Sequence, residues 1–253
     1  MIKRTVFGVA VACITAISCL SAPVAAQDKT IYLTFDDGPL TGTENILNVL
    51  ETENVPATMF MVGMHAEASA THKSLVERAK AMSLVTVGNH SYSHAHDLYR
   101  HFYSDTDAVV ADMKRANKVL GLTTEPIRAR LPGRDVFRLP DITKDDLSIG
   151  KMEDGREEPD FDFTAADGFY LYGWDHEWVH DSRGKPVQTV DLLVNEIDHL
   201  FTAARFVRPN KLILLMHDEM FQDGYDGEAN LRDLIQKLKQ NGYAFDAIQT
   251  YDG

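Results

Sequence analysis

Acidic and imidazole side chains recur directly after short apolar segments, at spacings that could form a hydrolytic centre. Asp36 and Asp37 follow the apolar run 31–35, and His90 and His94 are four residues apart. One carboxylate and two imidazoles are typical ligands of a catalytic zinc ion, which keeps a further position for water. The second carboxylate could then serve as a general base.

Further polar residues occupy comparable positions later in the chain. His217 follows the apolar run 212–216, where it could act as a general acid, and Arg130, Trp174 and Asp175 lie at or after the ends of other apolar runs. Each has a commoner structural explanation when taken alone, such as an Asp-Gly turn or a core histidine. Their repeated position after apolar runs favours one shared site.

The elements that would position these residues are short strands alternating with amphipathic helices. Residue periodicity predicts strands over 31–35, 57–62, 84–87, 127–131, 169–172, 212–216 and 244–248, and helices over 43–53, 107–120, 190–201 and 230–241. This alternation predicts a parallel α/β sheet, closed or nearly closed into a barrel. Since the carboxyl ends of parallel strands open onto one face, the polar residues would converge there.

The first 26 residues have the layout of a secretory signal peptide. Lys3 and Arg4 precede the apolar run 6–20, and small residues come before Gln27. The run is shorter than the roughly 20 residues of a membrane span, although an uncleaved anchor is the alternative. We predict cleavage after Ala26, a periplasmic or extracellular location, and no stable membrane insertion after cleavage.

The remaining residues, 27–253, are expected to form a single domain without cysteine. Cys13 and Cys19 both precede the cleavage position, so disulfides and thiolate metal ligands are excluded. The formal net charge of −13 would become about −15 once two basic residues are removed, which argues against nucleic-acid binding. The acid-rich stretch 141–162 predicts an exposed insertion. Oligomeric state cannot be read from the sequence.

Five spaced motifs resemble those of the NodB-type polysaccharide deacetylases, carbohydrate esterase family four. TFDDGP at 34–39, HSYSH at 90–94 and LLMHD at 214–218 match the first, second and fifth family motifs, while RLPG at 130–133 and WDHEW at 174–178 resemble the third and fourth incompletely. The resemblance implies a distorted (β/α) barrel of the NodB-homology type. It also implies removal of N-acetyl groups from a GlcNAc-containing polysaccharide or oligosaccharide, such as peptidoglycan, chitin or poly-N-acetylglucosamine.

The resemblance further implies a role for each site residue. Three residues would bind a divalent metal ion, most often Zn²⁺: Asp37, His90 and His94. Asp36 would deprotonate the attacking water, held in place and kept ionised by Arg130. His217 would protonate the departing amine.

The remaining roles concern the acetyl group and the orientation of His217. A backbone N–H of the third motif, at Gly133, would help to stabilise the oxyanion. Leu215 and Trp178 would line the pocket for the acetyl methyl. A carboxylate of the fourth motif would orient His217, and both Glu177 and Asp175 are candidates.

Two other functions are compatible with the same residues. An O-acetyl esterase acting on acetylated xylan would use the same metal and base, but its alkoxide leaving group would depend less on His217. A non-catalytic carbohydrate-binding protein would bind the glycan and release no acetate. Retention of the base and of all three metal-binding residues argues against this second alternative.

Overall fold

A computed structural model of the chain describes residues 29–146 and 157–252. The predicted signal peptide, 1–26, lies outside the described residues. Within them, no helix has both the length and the apolar character that a membrane crossing requires.

The described residues contain ten strands in one curled, mostly parallel sheet. The strands are β1 Thr30–Asp36, β2 Ala57–Met61, β3 Val85–Asn89, β4 Ile127–Ala129, β5 Phe137–Leu139, β6 Ile142–Lys144, β7 Phe169–Leu171, β8 His176–Glu177, β9 Lys211–His217 and β10 Ala244–Phe245. Their order is β6-β5-β7-β4-β3-β2-β1-β9-β8, and β10 pairs with the start of β1. Only the pairings of β5 with β6 and β7 are antiparallel. The fold is therefore a distorted (β/α) barrel in a single domain, as predicted.

Eight α-helices lie in the same described part of the chain. They are α1 Thr43–Glu53, α2 Gly63–Glu67, α3 Ala70–Ala81, α4 Tyr99–Phe102, α5 Thr106–Leu120, α6 Glu158–Ala166, α7 Val190–Ala203 and α8 Gly227–Gln240. The Asp105 and Thr189 side chains accept hydrogen bonds from the first turns of α5 and α7, which satisfies donors that a helix start leaves free. Gly121 ends α5 in the left-handed conformation that glycine adopts at low cost.

The main core lies between the convex face of the sheet and its helices. Leu193, Ile197 and Phe201 recur every four residues on α7, and all three are buried in this core. The alternate residues Ile31 and Leu33 of β1 belong to the same cluster. Strand alternation thus turns the residues between them toward the opposite, concave face.

The concave face carries acidic and imidazole side chains that the sequence predicts to be functional. The residues of β1 on this face are Tyr32, Thr34 and Asp36, which pair in register with Ile213, Leu215 and His217 of β9. The lower layer is filled by an aromatic cluster that includes Tyr32, Phe60, Tyr172 and Tyr251. Because facing residues of paired strands lie on the same side of a sheet, Asp36 and His217 are placed side by side at the top of this cluster.

The predicted strands and helices are present with small shifts of their ends. The predicted helix over 43–53 is α1, and the strand over 31–35 lies within β1. Strands β5, β6 and β8 and helices α2, α3, α4 and α6 were not predicted. Most of these have fewer than six residues, while α3 buries only Val76 and Ala79 and so lacks a recognisable apolar stripe.

The prediction of an exposed insertion over 141–162 holds for only part of its two described ends, in which Asp141 is among the exposed residues. Arg138 forms ion pairs with Asp145 and Asp162, and Arg134 pairs with the buried Glu157. Phe161 is also buried, in the cluster beneath α6. Three acids of this stretch are thus partners of two upstream arginines. Residues 147–156 lie outside the described part of the chain.

Helix α7 offers a direct test of the core. Ile197→Ala removes a fully buried side chain and should lower the free energy of unfolding by about 2–5 kcal/mol. Leu192→Ala on the same helix removes a side chain that is 49% exposed and should change it by less than about 0.5 kcal/mol. Urea unfolding followed by circular dichroism measures both. Equal losses would contradict this assignment of the core face.

Candidate active site

A pocket of about 490 Å³ opens at the carboxyl ends of β1, β3 and β9. It brings together most of the residues that the sequence selects, although they are up to about 180 positions apart. The lining residues are Asp36, Asp37, Leu40, His65, His90, His94, Asp97, Tyr99, Gly133, Trp174, His180, Leu215, His217 and Glu219. The predicted convergence of polar residues at one face of the sheet is therefore present.

Arg130 is fully buried behind the pocket, and every part of its guanidinium group is engaged. Nη1 donates to Oδ1 of Asp36 at 2.8 Å and to Oγ1 of Thr34 at 2.9 Å. Nε and Nη2 donate to the backbone carbonyls of Tyr172 and Gly173 at 3.0 and 2.8 Å. The cation is thus compensated by one carboxylate and several dipoles, which a buried charge requires.

Asp36 has one oxygen held and the other directed toward the cluster of histidines. Arg130 binds Oδ1, while Oδ2 lies 3.6 Å from Nε2 of His90. The side chain is only 3% exposed. The Asp36 carboxylate is therefore fixed in orientation with Oδ2 facing the histidine cluster, an arrangement that suits a general base.

Asp37, His90 and His94 form a cluster whose ligand atoms lie within 4.8 Å of one another. Oδ1 of Asp37 is 3.4 Å from Nε2 of His90 and 3.2 Å from Nε2 of His94. Nδ1 of His90 lies 2.8 Å from the carbonyl of Arg130, and Nδ1 of His94 lies 3.2 Å from Asp97. Since a carbonyl and a carboxylate only accept, each Nδ1 carries the proton and each Nε2 presents a lone pair to the cluster.

The electrostatics of this cluster favour a positive charge at its centre. Burial lowers the pKa of His90, but the carboxylates of Asp36 and Asp37 outweigh it and raise that pKa overall. Burial likewise opposes ionisation of Asp37, yet the hydrogen bond and charge of His90 and the charge of His94 hold its pKa well below the usual range. The pKa of His94 is lowered by burial and by His90, which favours a neutral ligand.

The backbone of the loop at Asp37 and Gly38 is held from two sides. Asp37 has φ of 75°, a left-handed conformation that is unusual outside glycine, and its carbonyl lies 2.6 Å from Nδ1 of His65. Next to it, a Cβ on Gly38 would lie 2.8 Å from Oδ2 of the buried Asp218, which itself accepts a hydrogen bond from Thr43. Only glycine allows this close approach.

His217 lines the pocket and lies beside Asp36 in the register of β1 and β9. Burial lowers its pKa, against the opposing effect of Asp36 and Asp37, so the neutral ring is favoured. The ring packs edge to face against His180, with 4.5 Å between the ring centroids. Its Nδ1 is buried and bonds to no side chain among the described residues.

The predicted carboxylate partner of His217 is not found in the structure. Asp175 accepts hydrogen bonds from the backbone amides of Val207 and Ile213, at 3.0 and 2.8 Å. Ile213 lies four residues before His217 on β9, which is roughly 13 Å along a strand. Asp175 therefore braces the lower sheet, and burial raises its pKa to about 6.

Glu177 comes nearer to His217 than Asp175 but does not bond to it. It pairs in register with Leu215, two residues before His217, and is half-buried. Burial raises the pKa of Glu177, opposed mainly by the charge of His180. The prediction that either acid of the fourth motif contacts His217 is thus wrong for the described structure.

The predicted acetyl-binding residues are divided between the pocket and the core. Leu215 and Gly133 line the pocket. Trp178 is 1% exposed, packs against Phe221 in the main core and does not line the pocket, so its predicted role is wrong. The cause is strand alternation, because Glu177 shares the concave face with Leu215 and the next residue turns to the other side.

Several pocket residues were not singled out from the sequence. Trp174, noted only as a residue at a strand end, supplies an aromatic wall, and Tyr99 and Asp97 follow the second histidine of the HSYSH motif. His65 and His180 lie in segments with no recognised motif. The only sequence signal for these two residues is that they are histidines, and this does not distinguish them from exposed histidines such as His101.

Comparisons with known proteins agree with this geometry. Residues 24–153 match the family model described as polysaccharide deacetylase. The chain is 28% identical to the putative polysaccharide deacetylase YheN of Bacillus subtilis, covering 88% of this chain and 68% of that protein. It is 26% identical to the chitin disaccharide deacetylase of Vibrio alginolyticus, covering 88% and 71%. A CE4 esterase structure from Streptococcus mutans has a TM-score of 0.64 at 25% identity, covering 87% and 86% of the two chains.

The buried ion pair can be tested by a double-mutant cycle. Arg130→Met leaves the Asp36 carboxylate buried without its partner and should lower the free energy of unfolding by about 3–5 kcal/mol. Adding Asp36→Asn removes that unpaired charge and should recover at least about 1 kcal/mol. Urea unfolding at pH 7 measures the cycle.

The matched control is a surface ion pair. Arg78→Met breaks a pair with Glu51 in which both side chains are partly exposed, and should cost no more than about 1 kcal/mol. A double variant at least as unstable as Arg130→Met would contradict the assigned role of the pair.

Proposed function

The chain belongs to the polysaccharide deacetylase family, and we propose that it is a metal-dependent N-deacetylase of a GlcNAc-containing polysaccharide or oligosaccharide. The observation that carries the proposal is the presence of two acid–base groups beside one cluster. Asp36 and His217 line the same pocket as the three facing ligand atoms of Asp37, His90 and His94. Metal-assisted hydrolysis of an amide uses that combination.

The three residues fit a divalent metal ion, most often Zn²⁺ in such donor sets. Two imidazole nitrogens and one carboxylate oxygen face each other with no atom between them, and both imidazoles have their second nitrogen fixed by an acceptor. Oδ1 of Asp37 is buried and lacks a hydrogen bond of good geometry. A divalent ion held there would supply Lewis acidity toward a water molecule and the acetyl carbonyl.

The residues around the cluster divide the proton transfers between them. Asp36, with Oδ1 held by Arg130, accepts through Oδ2 a proton from the water that attacks the acetyl carbon. The backbone N–H of Gly133 donates toward the oxygen that becomes negative. His217 acts in its protonated form, which the charges of Asp36 and Asp37 favour against burial, and gives a proton to the nitrogen as the carbon–nitrogen bond breaks. The products are acetate and an amino sugar.

An amide substrate is favoured over an ester by the presence of an acid group in the pocket. An amine leaves only when protonated, and His217 lines the pocket. The chitin disaccharide deacetylase among the relatives supports the same substrate class. O-acetyl xylan is the alternative, and it predicts activity that survives loss of His217. A purely carbohydrate-binding protein is the further alternative.

We also propose that the enzyme is exported. Cleavage of the predicted signal peptide after Ala26 would deliver residues 27–253 to the periplasm or the extracellular space, where N-acetylated glycans of this class occur. The absence of cysteine from this part of the chain means that folding there needs no disulfide.

The division of labour between the two adjacent aspartates gives a mechanistic prediction. Asp36→Asn should keep about one metal ion per chain and lose acetate release by about 10²–10⁴-fold, because it removes the base and leaves the ligands. His94→Ala should lose both, because it removes a ligand. Elemental analysis after dialysis and an acetate assay measure the two quantities.

The control for this pair is a histidine of the same segment outside the pocket. His101→Ala, on the exposed side of α4, should keep both metal and activity. Wild-type acetate release from Asp36→Asn would show that another group is the base.

The substrate is identified by acetate release from a panel of glycans. Peptidoglycan, chito-oligosaccharides, poly-N-acetylglucosamine and acetyl-xylan should be compared, with the Asp36→Asn protein as the blank. Release from one or more of the first three supports the N-deacetylase. Release from acetyl-xylan alone would favour the esterase, and binding without release from any would favour the binding protein.

A further inference from the structure

The orientation of His217 has an unusual source in this chain. An imidazole that must present Nε2 to a leaving nitrogen has two rotatable bonds, and in many hydrolytic sites a carboxylate on Nδ1 restricts them. Here neither Asp175 nor Glu177 reaches Nδ1, and no side chain of the described residues bonds to it. The His217 side chain also caps the short turn Asp218–Phe221, where it faces the backbone N–H of Met220. Packing on the other side of the ring supplies the remaining restriction.

We propose that His180 is a positioning residue, which holds the ring of His217 by edge-to-face packing. The proposal rests on the proposed function, in which His217 protonates the departing amine. The two rings are 4.5 Å apart between centroids, at an interplanar angle of 63°. This lies in the range of favourable edge-to-face aromatic pairs.

Nδ1 of His180 is engaged by groups other than His217. It lies 2.8 Å from the carbonyl of Asp181 and 3.2 Å from Oε1 of Glu219. A carbonyl only accepts, so Nδ1 carries the proton and donates it to Asp181, with the Glu219 carboxylate close by. Since no hydrogen bond joins the two rings among the described contacts, the ring of His180 acts on His217 through its shape.

The backbone around His180 is braced well enough to hold a ring in place. His180 forms an antiparallel bridge with Pro186, and the intervening turn is closed by Oδ1 of Asp181, which accepts from the amides of Arg183 and Lys185. The carbonyl of Arg183 accepts in turn from the hydroxyl of Tyr225, at 2.8 Å. The turn is thus tied both to itself and to the segment before α8.

Glu219 is held by the same turn. Gly184 has φ of 77°, and a Cβ added to it would lie 2.8 Å from Cγ of Glu219. Glu219 itself follows His217 by two residues, in the short helical turn Asp218–Phe221. The turn, Glu219, His180 and His217 therefore form one packed unit, in which each group limits the movement of the next.

The experiment compares two substitutions of His180 on two kinds of substrate. On an N-acetylated chito-oligosaccharide, His180→Ala should lower kcat by about 10–100-fold with KM changed less than about twofold, because the acid is displaced while the sugar still binds. On an aryl acetate, whose phenolate leaves without protonation, the same variant should keep most of its rate. His180→Phe retains a ring of similar size and should restore most of the kcat for the amide.

The matched control is His176, the histidine four residues earlier in the chain. His176 is 23% exposed and pairs with Glu196 at 3.0 Å, much as His180 is 22% exposed and pairs with Glu219. It lies outside the pocket, so His176→Ala should leave both activities unchanged. Thermal unfolding of every variant, followed by circular dichroism, shows whether it is folded.

Five results would overturn the proposal. An increase of KM alone in His180→Ala would make His180 a sugar-binding residue, and failure of His180→Phe to restore kcat would mean that the imidazole acts chemically. Equal loss on both substrates would indicate a general structural role. Unchanged kcat in His180→Ala, measured beside an active wild-type protein, would reject the positioning role of His180 but not the proposed function. Absence of acetate release by the wild type would reject the proposed function as well.

Discussion

The buried contact between Arg130 and Asp36 is the interaction on which the site depends. A guanidinium group without exposure to water is costly unless it is paired and hydrogen-bonded, and here one carboxylate, one hydroxyl and two carbonyls from two parts of the sheet bind it. The carbonyl of the same residue accepts from Nδ1 of His90. Arg130 therefore orients the proposed base with its side chain and a proposed metal ligand with its backbone.

That arrangement explains why the two adjacent aspartates differ. Asp36 continues β1 and points to the concave face, where Arg130 binds it. Asp37 is the first residue beyond the strand, and its left-handed backbone turns the carboxylate toward His90 and His94. The strain at Asp37 is supported by His65 on its carbonyl and by the close packing of Gly38 on Asp218.

In the fourth motif, the residue types at a strand end did not predict the contacts that these residues make. Asp175, Glu177 and Trp178 have the types that the family pattern requires, yet none takes the predicted contact. Pairing of β8 with β9 sets Glu177 opposite Leu215, which places Asp175 too low along the sheet and turns Trp178 into the core. A shift of one residue in that register would have reversed these faces, and nothing in the local sequence specifies the register.

The sequence by itself determined the α/β fold class, most of the longer strands and helices, and the residues proposed as metal ligands, base and acid. It could do so because these follow from periodicity and from short motifs, which are local in the chain. Only the tertiary structure decided that Arg130 joins Asp36 to His90, that His65 braces Asp37, and that His180 rather than an acid contacts His217. Those contacts join residues from separate strands and loops, and depend on strand register and on packing across the pocket.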